Sequence, residues 1–202
     1  MTFVFQILFI HILAVASPGP DFIMVVKNTL NYSRKIGIYT AIGIGSGIIV
    51  HVTYTFLGIG LIINETPILF QIIKYIGALY IMYIAFLSFQ SNSSNEIIRI
   101  EKQDSISNFK AFQIGFITNV FNPKASLFFL SLFSVVLKPE TNIYLLAFLG
   151  FMLVFQTTMW FILVSFFFTQ EKIQQKYYQY QSIINKAFGI ILFLFAMKLI
   201  IF

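Results

Sequence analysis

Ser17-Pro18-Gly19-Pro20-Asp21 and Asn122-Pro123-Lys124 each interrupt an otherwise apolar stretch of membrane length, and their reading decides the fold. A proline inside a helix removes a backbone donor and clashes with the preceding turn. Within lipid, the freed polar groups are tolerated only where they face protein or a wet cavity. A charged side chain follows each break, an acid at Asp21 and a base at Lys124. Such groups cost about 2.5–3.5 kcal/mol at a membrane-helix centre on insertion scales, and they mark substrate or ion paths. Two interrupted helices carrying opposite charges predict a transport site rather than an anchor.

Around these breaks the 202-residue chain is 58% hydrophobic and only 10% charged. A soluble domain would carry about 25% charged residues. Mean hydropathy is +0.87. Gly37 to Ile63 and Ile143 to Thr169 contain no Asp, Glu, Lys or Arg, and about 20 apolar residues suffice for a crossing helix. Hydropathy and breakers together predict six transmembrane helices near 3–30, 37–63, 67–90, 112–137, 143–169 and 182–202. The fold class expected is an all-α membrane protein. The N-terminal segment lacks a basic start and runs into Pro-Gly-Pro, so it does not read as a signal peptide.

Charge sets the expected orientation. Lys27, Arg34 and Lys35 lie around the first loop, Arg99, Lys102 and Lys110 around the third, and Lys172, Lys176 and Lys186 around the fifth. Nine of the 13 basic residues thus fall at odd-numbered loops, which the positive-inside rule assigns to the cytoplasm. Both termini are then expected outside a bacterial inner membrane. Lys74 and Lys198 stand near enough to helix ends to snorkel. The net charge of +6 is scattered over short loops with no basic face, so topology accounts for it and nucleic acid is not an expected partner. The chain has no cysteine, which excludes disulfides and thiolate metal sites. No cofactor or metal is expected.

A polar linker, 91–111, divides a single transporter domain (1–202) into halves 1–90 and 112–202, each of three spans opening with its Pro-broken helix. Three is odd, so the second half enters from the opposite side: two inverted three-helix repeats, with the site where the broken helices meet. In the second break Asn122 suits an N-cap, Pro123 the first helical position, and Lys124 the first turn. A helix N-terminus offers unpaired N–H groups and about half a positive charge; with an ammonium beside it, it can hold a carboxylate. In the first break Ser17 is expected to cap, with Pro18 at the first position and Asp21 in the opening turn, poised for an ammonium or a proton. Together these groups fit a zwitterionic amino acid. Asp21 and Lys124 can equally pair with each other, and substrate can compete for such a pair.

Ser17-Pro18-Gly19-Pro20-Asp21-Phe22, followed by Lys27-Asn28-Thr29-Leu30, resembles the first-span signature of the LysE/RhtB amino-acid exporters. Gly115-Phe116-Ile117-Thr118-Asn119 leading to Asn122-Pro123-Lys124-Ala125 resembles that family's fourth-span signature. The likeness covers essentially the whole chain, and His51-Val52-Thr53-Tyr54 is more similar to the homoserine/threonine branch. The resemblance implies efflux of small amino acids or derivatives, driven by a proton or ion gradient and not by enzymatic chemistry. The substrate-binding candidates are Ser17, Pro18, Pro20, Asp21, Asn119, Asn122, Pro123 and Lys124; the proton-coupling candidates are Asp21 and His51. The partners are an amino-acid substrate and the bilayer, with a homo-oligomer left open.

Other features carry competing readings. Gly37, Ala41 and Gly45, and Gly43 with Gly47, recur every four residues, a spacing that favours close helix packing. Ser46 and His51 point to different faces of one helix, which argues against a nucleophile–base dyad. His51 can handle protons or bond a neighbouring carbonyl, and His11 has no partner evident in sequence. Gln156, Tyr80 and Tyr83 can line a pathway or pack. The alternative function is a cation or metal-ion carrier on a similar scaffold, which should collect His, Asp and Glu at the breaks, where Asp21 is the one acid.

Overall fold

A computed structural model of the protein describes residues 2–65, 67–90, 105–136 and 141–201, and among these every regular element is helical. The order is α1 (Thr2–Ala16), α2 (Pro20–Asn31), α3 (Arg34–Glu65), α4 (Pro67–Gln90), α5 (Asn108–Val120), α6 (Pro123–Val136), α7 (Ile143–Phe167) and α8 (Glu171–Ile201). Arg34–Leu57, Ile143–Phe167 and Glu171–Met197 are each long and apolar enough to cross a membrane. The α1–α2 pair makes a fourth candidate, bent by 55° at its break. Tyr75–Gln90 and Pro123–Phe133 are shorter apolar helices.

The prolines set both interruptions. A residue preceding proline is pushed out of the helical region, and in Ser17-Pro18-Gly19-Pro20 both Ser17 and Gly19 are so placed. Helix α1 therefore closes with the Ser17 N–H donating to Leu13 O (3.0 Å). Gly19 is extended (φ −177°, ψ −176°) and serves as N-cap of α2, with Pro20 opening the helix. This corrects the sequence expectation of Ser17 as cap and Pro18 as first residue. A helix begun at Pro18 would need Gly19 helical directly before Pro20. The second break follows expectation: Asn122 Oδ1 accepts from Lys124 N at 3.0 Å, with Pro123 at the first position of α6.

Two boundaries also differ. Helix α5 begins at Asn108 because Ser107 caps it, its side chain accepting from Lys110 N at 3.1 Å. Residues 91–104 of the expected linker, with Arg99 and Lys102, lie outside the described residues, as do the side chains of Lys74 and Lys198. Helix α8 starts at Glu171, earlier than the apolar pattern indicated. Its first turns are polar but hold no Pro or Gly to stop a helix.

Small residues fix how the helices run. A Cβ on Gly43 would fall 2.8 Å from Phe116 N, one on Gly115 would fall 2.9 Å from the Thr40 carbonyl carbon, and one on Gly47 would meet the Asn119 side chain. Helices α3 and α5 therefore touch backbone to backbone and run parallel. Against α7 the order reverses, with Gly37 facing Ser165, Gly45 facing Thr158, and Val52 facing Gly150. The starts of α3 and α5 and the end of α7 thus share one side, where Arg34 donates to Thr169 Oγ1 (2.8 Å) and stacks over Phe166 (4.9 Å). The four-residue stripe of α3 is a packing surface.

Two apolar cores flank the breaks. One gathers Phe128, Phe129, Leu132 and Phe133 of α6 with residues of α1, α3, α4, α7 and α8. The other gathers Phe22, Val25 and Val26 of α2 with Ala41, Ile44, Phe161, Val164 and Phe168. Outside them the polarity of a soluble protein is inverted. Phe5, Phe9, Leu57, Leu79, Phe86, Phe151 and Leu194 are exposed, whereas His11, Asn28, Thr40, His51, Asn119, Asn122 and Thr157 are buried. Such an apolar exterior needs lipid against it. Asn28 of the first-span motif ties α2 to α3, donating to Thr40 Oγ1 at 2.9 Å.

Candidate functional site

The two breaks lie against each other at the centre of the bundle. Lys124, in the first turn of α6, extends its Nζ to Ser17 O (2.8 Å), Ser17 Oγ and Pro18 O (3.3 Å). These carbonyls close α1, whose C-terminus carries about half a negative charge. Ser17 is itself buried, and its hydroxyl donates a hydrogen bond to Ala14 O at 2.9 Å. Lys124 thereby pins the end of one interrupted helix to the start of another.

Asp21 stands in the first turn of α2. Its Oδ2 accepts from Asn119 Nδ2 at 2.9 Å, while its buried Oδ1 has no partner. Asn122 and Lys124 lie within electrostatic reach of the same carboxylate. The ammonium's hydrogen bonds all go to the Ser17–Pro18 turn, so acid and base share the site without direct contact. Of the two readings open in the sequence, mutual pairing is not the arrangement found.

Asn119 joins the second break to α3. Its carbonyl oxygen accepts from His51 Nε2 at 2.9 Å and from Asn122 N at 2.9 Å. His51 is buried, and its Nδ1 meets the Tyr54 hydroxyl at 3.0 Å. The same hydroxyl lies 3.3 Å from Ser126 O. The imidazole lies parallel to the Phe129 ring, at 2° and 5.6 Å. The carbonyl-bonding role weighed for His51 in sequence is thus present, and its acceptor belongs to the break.

A cavity of about 40 Å³ is lined by Ser17, Asp21, Asn119, Asn122 and Lys124, together with His11, Thr157 and Phe129. A water needs roughly 10–15 Å³ on this measure, so the site as it stands admits water but not an amino acid. A second cleft of about 250 Å³ lies beyond the break, walled by Pro18, Pro20, Tyr80, Ser88 and Lys124. Lys124 and Gly19 border both spaces. Pro123 is exposed and lines neither of them.

The remaining sequence candidates fall into place around this centre. Tyr80 borders the second cleft, with the Tyr83 ring 6.2 Å away. Ser46 donates to Ile42 O at 2.9 Å in its own helix. Sequence reasoning gave His11 no partner; in the fold it faces Gln156 and Thr157 of α7. The available signal was a Gln-Thr-Thr run, 156–158, in an otherwise apolar helix.

With this geometry the comparisons are specific. The family model of the LysE type translocator matches residues 12–202, spanning both breaks. The chain belongs to the LysE type translocator family. As a LysE-type translocator it is a membrane transport protein and not an enzyme. It is 30% identical over 189 residues to the uncharacterized membrane protein YrhP of Bacillus subtilis (strain 168), covering 90% of each chain. It is 26% identical over 186 residues to the uncharacterized membrane protein YahN of Escherichia coli (strain K12), covering 91% of this chain and 82% of that one. Against the threonine efflux protein of Salmonella typhimurium it is 28% identical over 212 residues, covering 100% of this chain and 98% of the relative. No solved structure matches the chain.

Proposed function

We propose that this LysE-type translocator exports small amino acids or close derivatives, of the threonine and homoserine kind, from the cytoplasm across the bacterial inner membrane. The observation that carries the reading is the shared cavity, where an acid and a base from two interrupted helices stand without pairing to each other. Substrate carboxylate binds the N-terminus of α6 beside Lys124, and substrate ammonium, or the coupling proton, binds Asp21. The relatives named threonine efflux protein support the substrate class. A metal or cation carrier fits less well, since Lys124 would repel a cation at Asp21 and the carboxylate's partner is an amide.

Transport proceeds by alternating access between two inverted three-helix halves, with six spans formed by α1–α2, α3, α4, α5–α6, α7 and α8. Support comes from the parallel run of α3 and α5, the antiparallel run of α3 and α7, and the separate cores around α2 and α6. The positive-inside count supports both termini lying outside. The 40 Å³ cavity must widen to load substrate, and Lys124, bordering both spaces, leaves the Ser17 carbonyl as it does. Proton coupling through Asp21 and His51 completes the cycle.

Uptake of labelled threonine, homoserine, leucine and lysine into inverted vesicles, with and without an imposed pH gradient, tests this reading. Gradient-stimulated uptake of the small substrates is the expected result. Absence of uptake of all four by correctly inserted protein would remove the proposal.

A further inference from the structure

The cavity has a second polar group besides the charged one, formed by His11 and Thr157. His11 of α1 is fully buried, tilted against the rings of Phe128 (6.0 Å) and Phe129 (5.7 Å), and it lines the same cavity as Asp21 and Lys124. Its Nδ1 lies 2.7 Å from Gln156 Oε1, which can only accept, so Nδ1 carries the hydrogen. In neutral imidazole that tautomer leaves Nε2 as an acceptor. Among the described residues its one protein donor is the Thr157 hydroxyl, at a long 3.3 Å. Gln156 stands behind the ring, bordering an apolar groove on the far side instead of this cavity.

We propose that His11 Nε2, held as an acceptor by Gln156, reads the side-chain hydroxyl of the transported amino acid while Asp21 and Lys124 hold its charged groups. The inference rests on the amino-acid reading above and deepens it: His11 is the determinant that selects a hydroxylated substrate over an apolar one of the same size. The physical basis is an asymmetry. An apolar pocket hardly distinguishes a methyl from a hydroxyl, whereas a pocket with a buried acceptor rejects the analogue that cannot donate. Replacing the weak Thr157 contact by a substrate hydroxyl satisfies Nε2; a methyl in the same place leaves it unpaired. Gln156 acts through the ring and is a positioning residue.

The test is counterflow in proteoliposomes of purified full-length protein, comparing threonine and homoserine with valine and 2-aminobutyrate. Wild type is expected to favour the hydroxylated pair by about tenfold or more. His11→Leu should bring the ratio close to one by slowing the hydroxylated pair. Gln156→Leu, outside the cavity, should shrink the ratio several-fold and serves if His11→Leu does not fold. A histidine needed only for packing would lower all four rates together, leave the ratio unchanged and overturn the proposal. Equal wild-type rates for both pairs would overturn it too while sparing the amino-acid reading; no exchange of any of the four would overturn both.

Discussion

Lys124 and Ser17, 107 positions apart in sequence, meet at 2.8 Å between the ammonium and a helix-terminal carbonyl. The contact couples the start of α6 to the end of α1 through a single side chain. It also leaves the Asp21 carboxylate one free oxygen inside the cavity. A base held by neutral carbonyls is easier to displace than one locked against a carboxylate, because leaving a carboxylate also means separating opposite charges.

Lys124→Met keeps the stem of the side chain but removes the ammonium. Efflux should fall at least about a hundredfold, near 2.8 kcal/mol at 1.4 kcal/mol per factor of ten. Membrane insertion should be unchanged, as read by the amount of fluorescently tagged protein in the membrane. Unchanged transport would take the residue out of the mechanism.

Asn119→Leu separates the side chain of this residue from its backbone. The carbonyl that holds His51 survives, while Asp21 loses its 2.9 Å donor. Leaving a buried acceptor unpaired costs about 1–3 kcal/mol. The expected outcome is roughly a tenfold loss of transport with normal expression, measured in the same vesicle assay.

Gly115→Ala probes the backbone contact of α3 with α5. The added methyl would meet the Thr40 carbonyl, which cannot swing aside as a side chain can. Overpacking of this kind costs about 1–3 kcal/mol. A lowered unfolding temperature in detergent is expected, and Gly43→Ala, against the Phe112 carbonyl, should reproduce it.

Asn142→Ala provides a contrast far from the charged centre. The exposed Asn142 side chain caps α7, accepting from Tyr144 N at 2.8 Å. Its loss should cost about 1 kcal/mol of stability and leave transport within about twofold of wild type at temperatures where the protein is folded. A large transport defect with unchanged stability would contradict a purely structural role.

The breaks were legible in the sequence because proline acts through local sterics that no fold can override. So was Asn122 as a cap, since a side chain reaching two residues along needs no tertiary partner. Ser17 was misread as a cap because two alternating prolines compete for the helix start, and Gly19 accepts the extended backbone that Pro20 demands. The small-residue stripe of α3 was recognisable as a packing surface. Its division between α5 on one side and α7 on the other was not, because spacing along a helix does not name the neighbour.

Composition and the order of breakers by themselves determined an all-helical, lipid-facing chain with a lone acid and a lone base at two interruptions. Those properties follow from solvation and backbone geometry, which act residue by residue. Only the tertiary structure decided that Lys124 bonds Ser17 and Pro18 rather than Asp21, and that His11 turns toward Gln156 and Thr157. Partners more than 100 positions apart are chosen by which helix faces pack together, and most buried polar groups bond a donor or acceptor that this packing supplies.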